Sequence, residues 1–332
     1  MMYSKYLITG ATGFLGRAVI DKLMEQGADI VALILPEDPY KDMLPQGVCT
    51  VIGDVCSKDS LNEFFANADE STCVIHCAGI VSVASRPGHK LYQVNVWGTW
   101  NVVNQCTEHH VGKLVYISSV HAIPEKPKGT AITEECVFSP GLVEDDYSKS
   151  KALATEIVFE AARNGLNASV VFPSGIIGPG DLQNGSFTSM VKSFIAGRLP
   201  FAVYGGYDFV DVRDVAEGII GCAEHAEQGR GYILSGHYIT IRNMLGIVGK
   251  AVRKCYRPLC FPVRIAKFIA VYYEKYSLKR NQKLFFTPYS IAVLASNGQF
   301  SHAAATSRFA YKPRPIETTL KDMALWLRGQ KK

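Results

Sequence analysis

The sequence predicts an α/β fold, a doubly wound parallel sheet followed by a smaller, mainly helical C-terminal lobe. Three observations carry this. Short apolar runs alternate with longer amphipathic segments through the first half; the runs are apolar throughout rather than at alternate positions; and the first leads into GATGFLG at residues 10–16. Strands that are apolar on both faces and separated by helices belong to a parallel sheet covered on both sides. A chain of 332 residues, 48% hydrophobic and 20% charged, is long enough for one large domain or two unequal ones.

Taken in order, strands are expected at about Tyr6–Thr9, Ile30–Leu35, Val48–Ile52, Thr72–Cys77, Leu114–Ser118 and Ala168–Phe172, with helical patterns between most of them. Residues 1–173 read as the sheet domain. Beyond Pro173, glycine and proline clusters in SGIIGPGD, GRLPFAVYGG and YKPRP interrupt shorter helical stretches, so residues 174–332 read as the lobe. The two interleave. VDVRDVAEGIIGCAEHA keeps the period of a helix packed on the main body, which returns residues about 205–226 to it.

Composition narrows the function classes. The net charge is +5, with no dense Lys/Arg block before residue 250, so nucleic acid is not expected as a partner. Nine cysteines without a CxxC pair read as reduced thiols, with no metal site. The first strand starts by Lys5 or Tyr6, leaving no room for a signal peptide. No segment supplies the ~20 apolar residues that span a bilayer, and the expected location is cytoplasmic. Phe261–Arg280 mixes aromatic and aliphatic residues with five cations. The favoured reading is a helix roofing a substrate pocket with its basic edge in water, ahead of an interfacial membrane helix.

The first strand, turn and helix form a phosphate cradle. Gly10 allows a sharp turn, Gly13 lets backbone approach a pyrophosphate, and Gly16 lets the helix pack closely. The backbone of Thr12, Phe14 and Leu15 then presents N–H groups, with the positive end of the helix dipole, to an anion. The second strand ends Leu33-Ile34-Leu35-Pro36, without the acid that would bind a ribose 2′-hydroxyl. Glu37 and Asp38 come late, and Arg17 at the helix start can approach a phosphate. The cofactor reading is therefore NAD(P), leaning to NADP. Asp54-Val55 after the third strand is placed to flank adenine, a turn-forming Asp being the competing reading.

DYSKSK at residues 146–151 opens a run of helix formers. Tyr147 and Lys151, four apart on a helix, share one face with Cβ atoms about 6 Å apart. Hydride transfer at a carbon needs a proton moved at the attached oxygen, and Tyr147 is the candidate. A phenol of pKa ~10 is a poor base at neutral pH. The Lys151 cation and an oxidised, positive nicotinamide would both favour the phenolate, bringing it toward the range where acid–base catalysis is worth about 10²–10⁴-fold.

These motifs form an ordered set with GDV at Gly53–Val55, HCAG at His76–Gly79, NVWGTWNV at Asn95–Val102 and YISS at Tyr116–Ser119. PSGIIGPGD at Pro173–Asp181, FVDVRDVA at Phe209–Ala216 and the ending FAYKPRPIETTLKDMALWL continue it. The set resembles the extended short-chain dehydrogenase/reductase family, the NAD-dependent epimerase/dehydratases, across nearly the whole chain. PSGIIGPGD is most similar to the dihydroflavonol reductase and hydroxysteroid dehydrogenase branch. The resemblance implies a Rossmann-type sheet domain, a substrate-binding lobe, and dimers formed through a helix bundle. It places Ser119, ahead of Ser118, as the hydroxyl that orients the substrate oxygen, and Lys151 on the nicotinamide ribose. Cys77, Ala78, Gly79, Pro173 and Ile176 would line the cofactor groove. Asn95 would have a mainly structural role, with a proton relay the alternative.

The implied reaction interconverts a carbonyl and an alcohol. Ser119 is followed by Val120-His121 instead of the acidic pair of sugar-nucleotide dehydratases. A sugar-nucleotide 4-epimerase and a non-catalytic cofactor-sensing protein are the alternatives. His76 reads as a packed strand residue. Ser82, Val83, Ile123 and Tyr204 are expected to form a largely apolar pocket suited to a ring ketone. His121 sits beside it, a plain loop histidine being the competing reading.

Overall fold

A computed structural model describes residues 3–82, 88–134, 137–199, 201–254, 258–279 and 287–330. β1 (Lys5–Thr9) and α1 (Phe14–Glu25) flank the glycine turn. Then come β2 (Asp29–Ile34), β3 (Cys49–Ile52), the short α2 (Asn62–Phe65) and β4 (Thr72–His76). α3 (Lys90–Tyr92) passes through a π-helical stretch, Gln93–Gly98, into α4 (Thr99–Glu108). β5 (Lys113–Ile117), α5 (Asp146–Arg163) and β6 (Ala168–Pro173) complete the six strands expected from sequence.

The second half holds β7 (Gly175–Ile177), α6 (Ser186–Ala196), β8 (Ala202–Val203), β9 (Gly206–Asp211) and α7 (Val212–His225). β10 (Gly231–Leu234), β11 (His237–Thr240), α8 (Ile241–Ala251), β12 (Cys260–Phe261) and α9 (Val263–Lys279) follow. The chain closes with α10 (Pro288–Val293), α11 (Ala303–Phe309) and α12 (Ile316–Gly329).

The central sheet has seven strands in the order β10-β6-β5-β4-β1-β2-β3, every pair parallel. The chain runs outward from β1 to β3 and then crosses back to β4, so β1 and β4 border the switch point where such sheets bind ligands. Register aligns Thr9 with His76 and His76 with Tyr116 at the carboxyl ends. Alternation sends Tyr6 and Ile8 into the core cluster on one face and Leu7 into that on the other. Each fully buried Val, Leu or Ile contributes roughly 1.5–3 kcal/mol relative to exposure.

α7 packs on α1, β5 and β6, and β10 joins the main sheet beside β6. A second, three-stranded sheet, β11-β9-β7, stands beside the first. Two motifs about a hundred residues apart meet there. The Arg213 guanidinium donates to Asp211 and to Asp322 of α12, and the Arg314 backbone and guanidinium N–H groups both donate to buried Asp214.

α9 buries Ala266 and Ala270, packs Val263, Ile269 and Tyr273 against the core, and exposes Phe268 and Tyr272.

Candidate active site

The cradle is built as its glycines require. Gly10 has φ +66°, and a Cβ there would lie 2.6 Å from the Ala78 nitrogen. A Cβ on Gly16 would meet the Gly10 carbonyl at 2.2 Å, so the first turn of α1 sits directly on the loop. Gly13, the residue before α1, makes no side-chain cap, and the first turn carries no acid. Its N–H groups and dipole are thus available to an anion. Buried Arg17 Nε has no hydrogen-bond partner among the described residues. An uncapped helix start, a bare loop and an orphaned guanidinium nitrogen fit a dinucleotide pyrophosphate.

Around the cradle, Thr12 Oγ1 donates to Asp38 at 2.7 Å, and the Tyr40 N–H donates to the other Asp38 oxygen at 2.8 Å. The acid that comes late in sequence is folded back onto the glycine loop. Asp54 Oδ1 accepts the Cys56 N–H at 2.9 Å, the geometry of a turn-forming Asp. Val55 is buried and its carbonyl accepts from Asn101 Nδ2. Cys77, Ala78 and Gly79 leave the end of β4, and the Ala78 N–H donates to Thr9 Oγ1 at 3.2 Å. Pro173 ends β6, and half-buried Ile176 lies in β7.

α5 starts at an Asp145 cap that accepts the Ser148 N–H at 3.0 Å. Tyr147 and Lys151 are both buried on it. Ser119 stands just past β5, accepts the His121 N–H at 3.2 Å, and lies near enough to the Tyr147 phenol to lower its pKa. Ser118 Oγ instead pairs with Thr155 at 2.7 Å, away from the phenol. Lys151 Nζ donates to the Ile117 carbonyl at 2.8 Å and to the Tyr116 hydroxyl at 3.3 Å. A Cβ on Gly79 would fall 3.3 Å from Lys151 Nζ, so the bare backbone of Gly79 makes room for the ammonium. Phenol, hydroxyl and ammonium therefore converge at the carboxyl ends of β4 and β5, beside the cradle.

Asn95 holds this arrangement together. Fully buried in the π-helical turn, its Oδ1 accepts the Ile80 N–H at 2.7 Å, and its Nδ2 donates to the Ile80 carbonyl and to Ser150 Oγ, each at 3.0 Å. Ser150 in turn donates to the Tyr147 carbonyl at 2.7 Å. All of Asn95's side-chain bonds are thus spent on tying the exit of β4 to the start of α5, a structural role. The π-turn, common at functional sites, leaves no periodicity for sequence reading to find. His76 is also structural: its ring nitrogens meet Thr9 and Thr99 hydroxyls at 2.7 and 3.0 Å, and burial drives its pKa down to about 3.

The electrostatics revise one expectation. Lys151 does not make the phenol more acidic in the protein alone. Burial pushes Tyr147 up to about 12, only partly offset by the nearby Ser119 hydroxyl. Burial likewise brings Lys151 down to about 8. Desolvation disfavours each charged form more than these neighbours favour it.

The opposite wall comes from distant sequence. His121 stacks on Tyr207 of β9, with ring centroids 5.7 Å apart and planes at 9°, and its Nε2 lies 3.1 Å from the Tyr207 hydroxyl. Its Nδ1 faces the Tyr289 hydroxyl of α10 at 3.4 Å, and its ring sits 6.0 Å from that of Tyr147. Burial and the nearby Asp145 carboxylate raise the Tyr289 pKa, which sets the α10 hydroxyl beside the start of α5. Burial lowers the His121 pKa, leaving a neutral imidazole with one donor and one acceptor nitrogen. Sequence reading missed Tyr207 and Tyr289, which no short-range pattern connects to DYSKSK.

Of the other pocket candidates, Ser82 is half-buried, Ile123 belongs to the core, and Tyr204 is half-exposed, its N–H donating to Phe261 beside β8. Val83 lies outside the described residues.

Comparison with known proteins agrees with this architecture. Sterol demethylase protein B of Methylococcus capsulatus is 26% identical over 327 residues, covering 97% of this chain and 98% of its own. The 3beta-hydroxysteroid-dehydrogenase/decarboxylase isoform 1 of Arabidopsis thaliana is 27% identical over 339 residues, covering 92% of this chain and 75% of its own. The crystal structure of gox2253 superposes with a TM-score of 0.85 at 26% identity, covering 98% of both chains. The family model of the NAD dependent epimerase/dehydratases matches residues 6–235. The chain is thus an enzyme of the extended short-chain type, an NAD(P)-dependent oxidoreductase, and it belongs to the NAD dependent epimerase/dehydratase family.

Proposed function

We propose that the enzyme interconverts an alcohol and a ketone on an apolar, ring-shaped substrate of the hydroxysteroid kind. The observation that carries this is the burial of Ser119, Tyr147 and Lys151 together at the carboxyl end of β5, with the His121–Tyr207–Tyr289 wall opposite. An aromatic wall suits a flat apolar ring. The hydroxysteroid activity named for the Arabidopsis relative supports the same class.

In this reading Ser119 donates a hydrogen bond to the substrate oxygen and fixes it against Tyr147. Tyr147 gives its phenolic proton to that oxygen in reduction and takes it back in oxidation. Lys151, held by the Ile117 carbonyl, keeps its ammonium beside Gly79, where the nicotinamide ribose would lie. When bound, the nicotinamide supplies or accepts the hydride.

For the choice of dinucleotide, Asp38 outweighs the lean to NADP read from sequence. Its carboxylate, pinned by Thr12 and Tyr40, supports a ribose 2′-hydroxyl and would repel a 2′-phosphate. Arg17 is the competing group. We therefore favour NAD, with Asp38→Ser expected to shift the ratio of Michaelis constants toward NADP.

The test follows the reduced-cofactor absorbance with a 3-hydroxysteroid, a dihydroflavonol and a UDP-sugar. Net cofactor reduction by the hydroxysteroid is expected. Isomerisation of the UDP-sugar without net redox change would replace this reading with a 4-epimerase.

A further inference from the structure

Helix α9 buries its alanines and leaves a row of large side chains in solvent. Ala266 and Ala270 are fully buried, and the acid Glu274 is only 8% exposed. Ile265, Phe268, Tyr272 and Tyr276 are 50, 67, 62 and 51% exposed. Phe268, Tyr272 and Tyr276 follow one another at four-residue steps and so form a ridge along one face.

Arg264, four residues before Phe268, shares that face, and exposed Lys267 lies at its flank. Residues 250–283 carry ten Lys or Arg against one Glu, a net +9 in a chain whose total is +5. The rest of the protein is therefore net negative.

A symmetric second copy would set this strong positive charge against itself. Nucleic acid would meet the cations and its bases could stack on the rings, but it offers no hydrocarbon to the exposed aliphatic side chains of Ile265 and Val271. A bilayer containing anionic lipid meets both, with phosphates at the cations and the ridge at the boundary between headgroups and acyl chains. Among the described residues no helix is long and apolar enough to cross a membrane, so the contact is superficial. We propose that α9 docks the protein on the surface of an anionic bilayer, its aromatic ridge inserted and its cations at the phosphates.

Docking would also face the substrate side of the enzyme to the lipid. α9 packs on α10, whose Tyr289 reaches His121 in the candidate site. Entry of an apolar substrate from that side rests on the proposed reaction; the docking itself does not.

The test floats the full chain with vesicles of phosphatidylcholine, alone or with about one-third phosphatidylglycerol. Recovery with the anionic vesicles is expected, roughly tenfold lower with the neutral ones and falling as salt rises. Phe268→Ser combined with Tyr272→Ser should lower binding roughly tenfold or more and leave circular dichroism and turnover of a soluble substrate unchanged. Arg264→Glu with Lys267→Glu should lower it by roughly fivefold or more per cation lost. Equal recovery on the two vesicle types, or undiminished binding by the serine variant, overturns the proposal. So does a dimer on sizing that the serine variant abolishes, which would assign the ridge to a second copy. A protein that floats as expected but turns over no hydroxysteroid would leave the docking standing and remove only the reaction.

Discussion

Helices α5 and α9 carry similar side chains, Tyr, Lys, Ala and Ile, and dispose them in opposite senses. α5 hides its tyrosine and lysine, Tyr147 at 7% exposure and Lys151 at 5%, against β5 and the exit of β4. α9 buries its alanines and leaves Phe268 and Tyr272 in solvent. Burying Tyr147 and Lys151 is unfavourable, since desolvation pushes the phenol up to about 12 and the ammonium down to about 8. Such perturbed groups in a cleft mark chemistry, whereas an exposed apolar ridge marks contact with something outside the chain. What separates the helices is which side chains their neighbours cover.

The largest expected effect removes the proton that α5 hides. Tyr147→Phe keeps the ring and its packing, so cofactor affinity should hold while turnover falls by roughly 10²–10⁴-fold. Next comes the partner. Lys151→Met should weaken cofactor binding by roughly 10–100-fold, the range for a charged hydrogen bond, measured as a dissociation constant by fluorescence. The same variant carries a stability signature. Lys151 sits at about 8 in the folded protein against an ordinary 10.5. Between those values the unfolded chain binds more protons, so wild-type stability should rise with pH across that window, on the order of 1–3 kcal/mol, and the variant should lose the slope. A slope that persists in Lys151→Met would break the contrast between the helices.

Smaller effects sharpen it. His121→Phe preserves the stacking on Tyr207 and loses both hydroxyl contacts, and should raise the substrate KM about tenfold with little change in the cofactor constant. On α9, Ala270→Leu overfills the buried face and should destabilise by about 1–3 kcal/mol. Phe268→Ala on the exposed face should stay within about 0.5 kcal/mol of wild type; the two chemical-denaturation midpoints check this.

Where sequence reading succeeded, the information was local. The glycines of residues 10–16 announce a backbone that Cβ atoms would obstruct, and the four-residue step from Tyr147 to Lys151 is a property of any helix. The six strands were visible as runs apolar at every position, to within a residue or two of their ends. β10 was not, because GYIL is four residues long and follows glycine-rich chain. β7, β9 and β11 pair only through long-range contacts. Tyr207 and Tyr289 reach His121 across 86 and 168 residues, beyond any periodicity. The orientation of α9 was illegible for a related reason. A helix with apolar residues on most of its circumference does not specify which face is buried, and the packing partners decide.

At the centre of this account is a phenol that the protein alone makes a weaker acid and that needs the cofactor's positive charge to become a base. Tyrosine ring carbon NMR, with the Tyr147 signal assigned by its loss in Tyr147→Phe, measures this directly in the presence and absence of oxidised cofactor. The account predicts no ionisation of Tyr147 below about pH 11 in the free protein and a titration several units lower in the complex. The same midpoint in both states would contradict it.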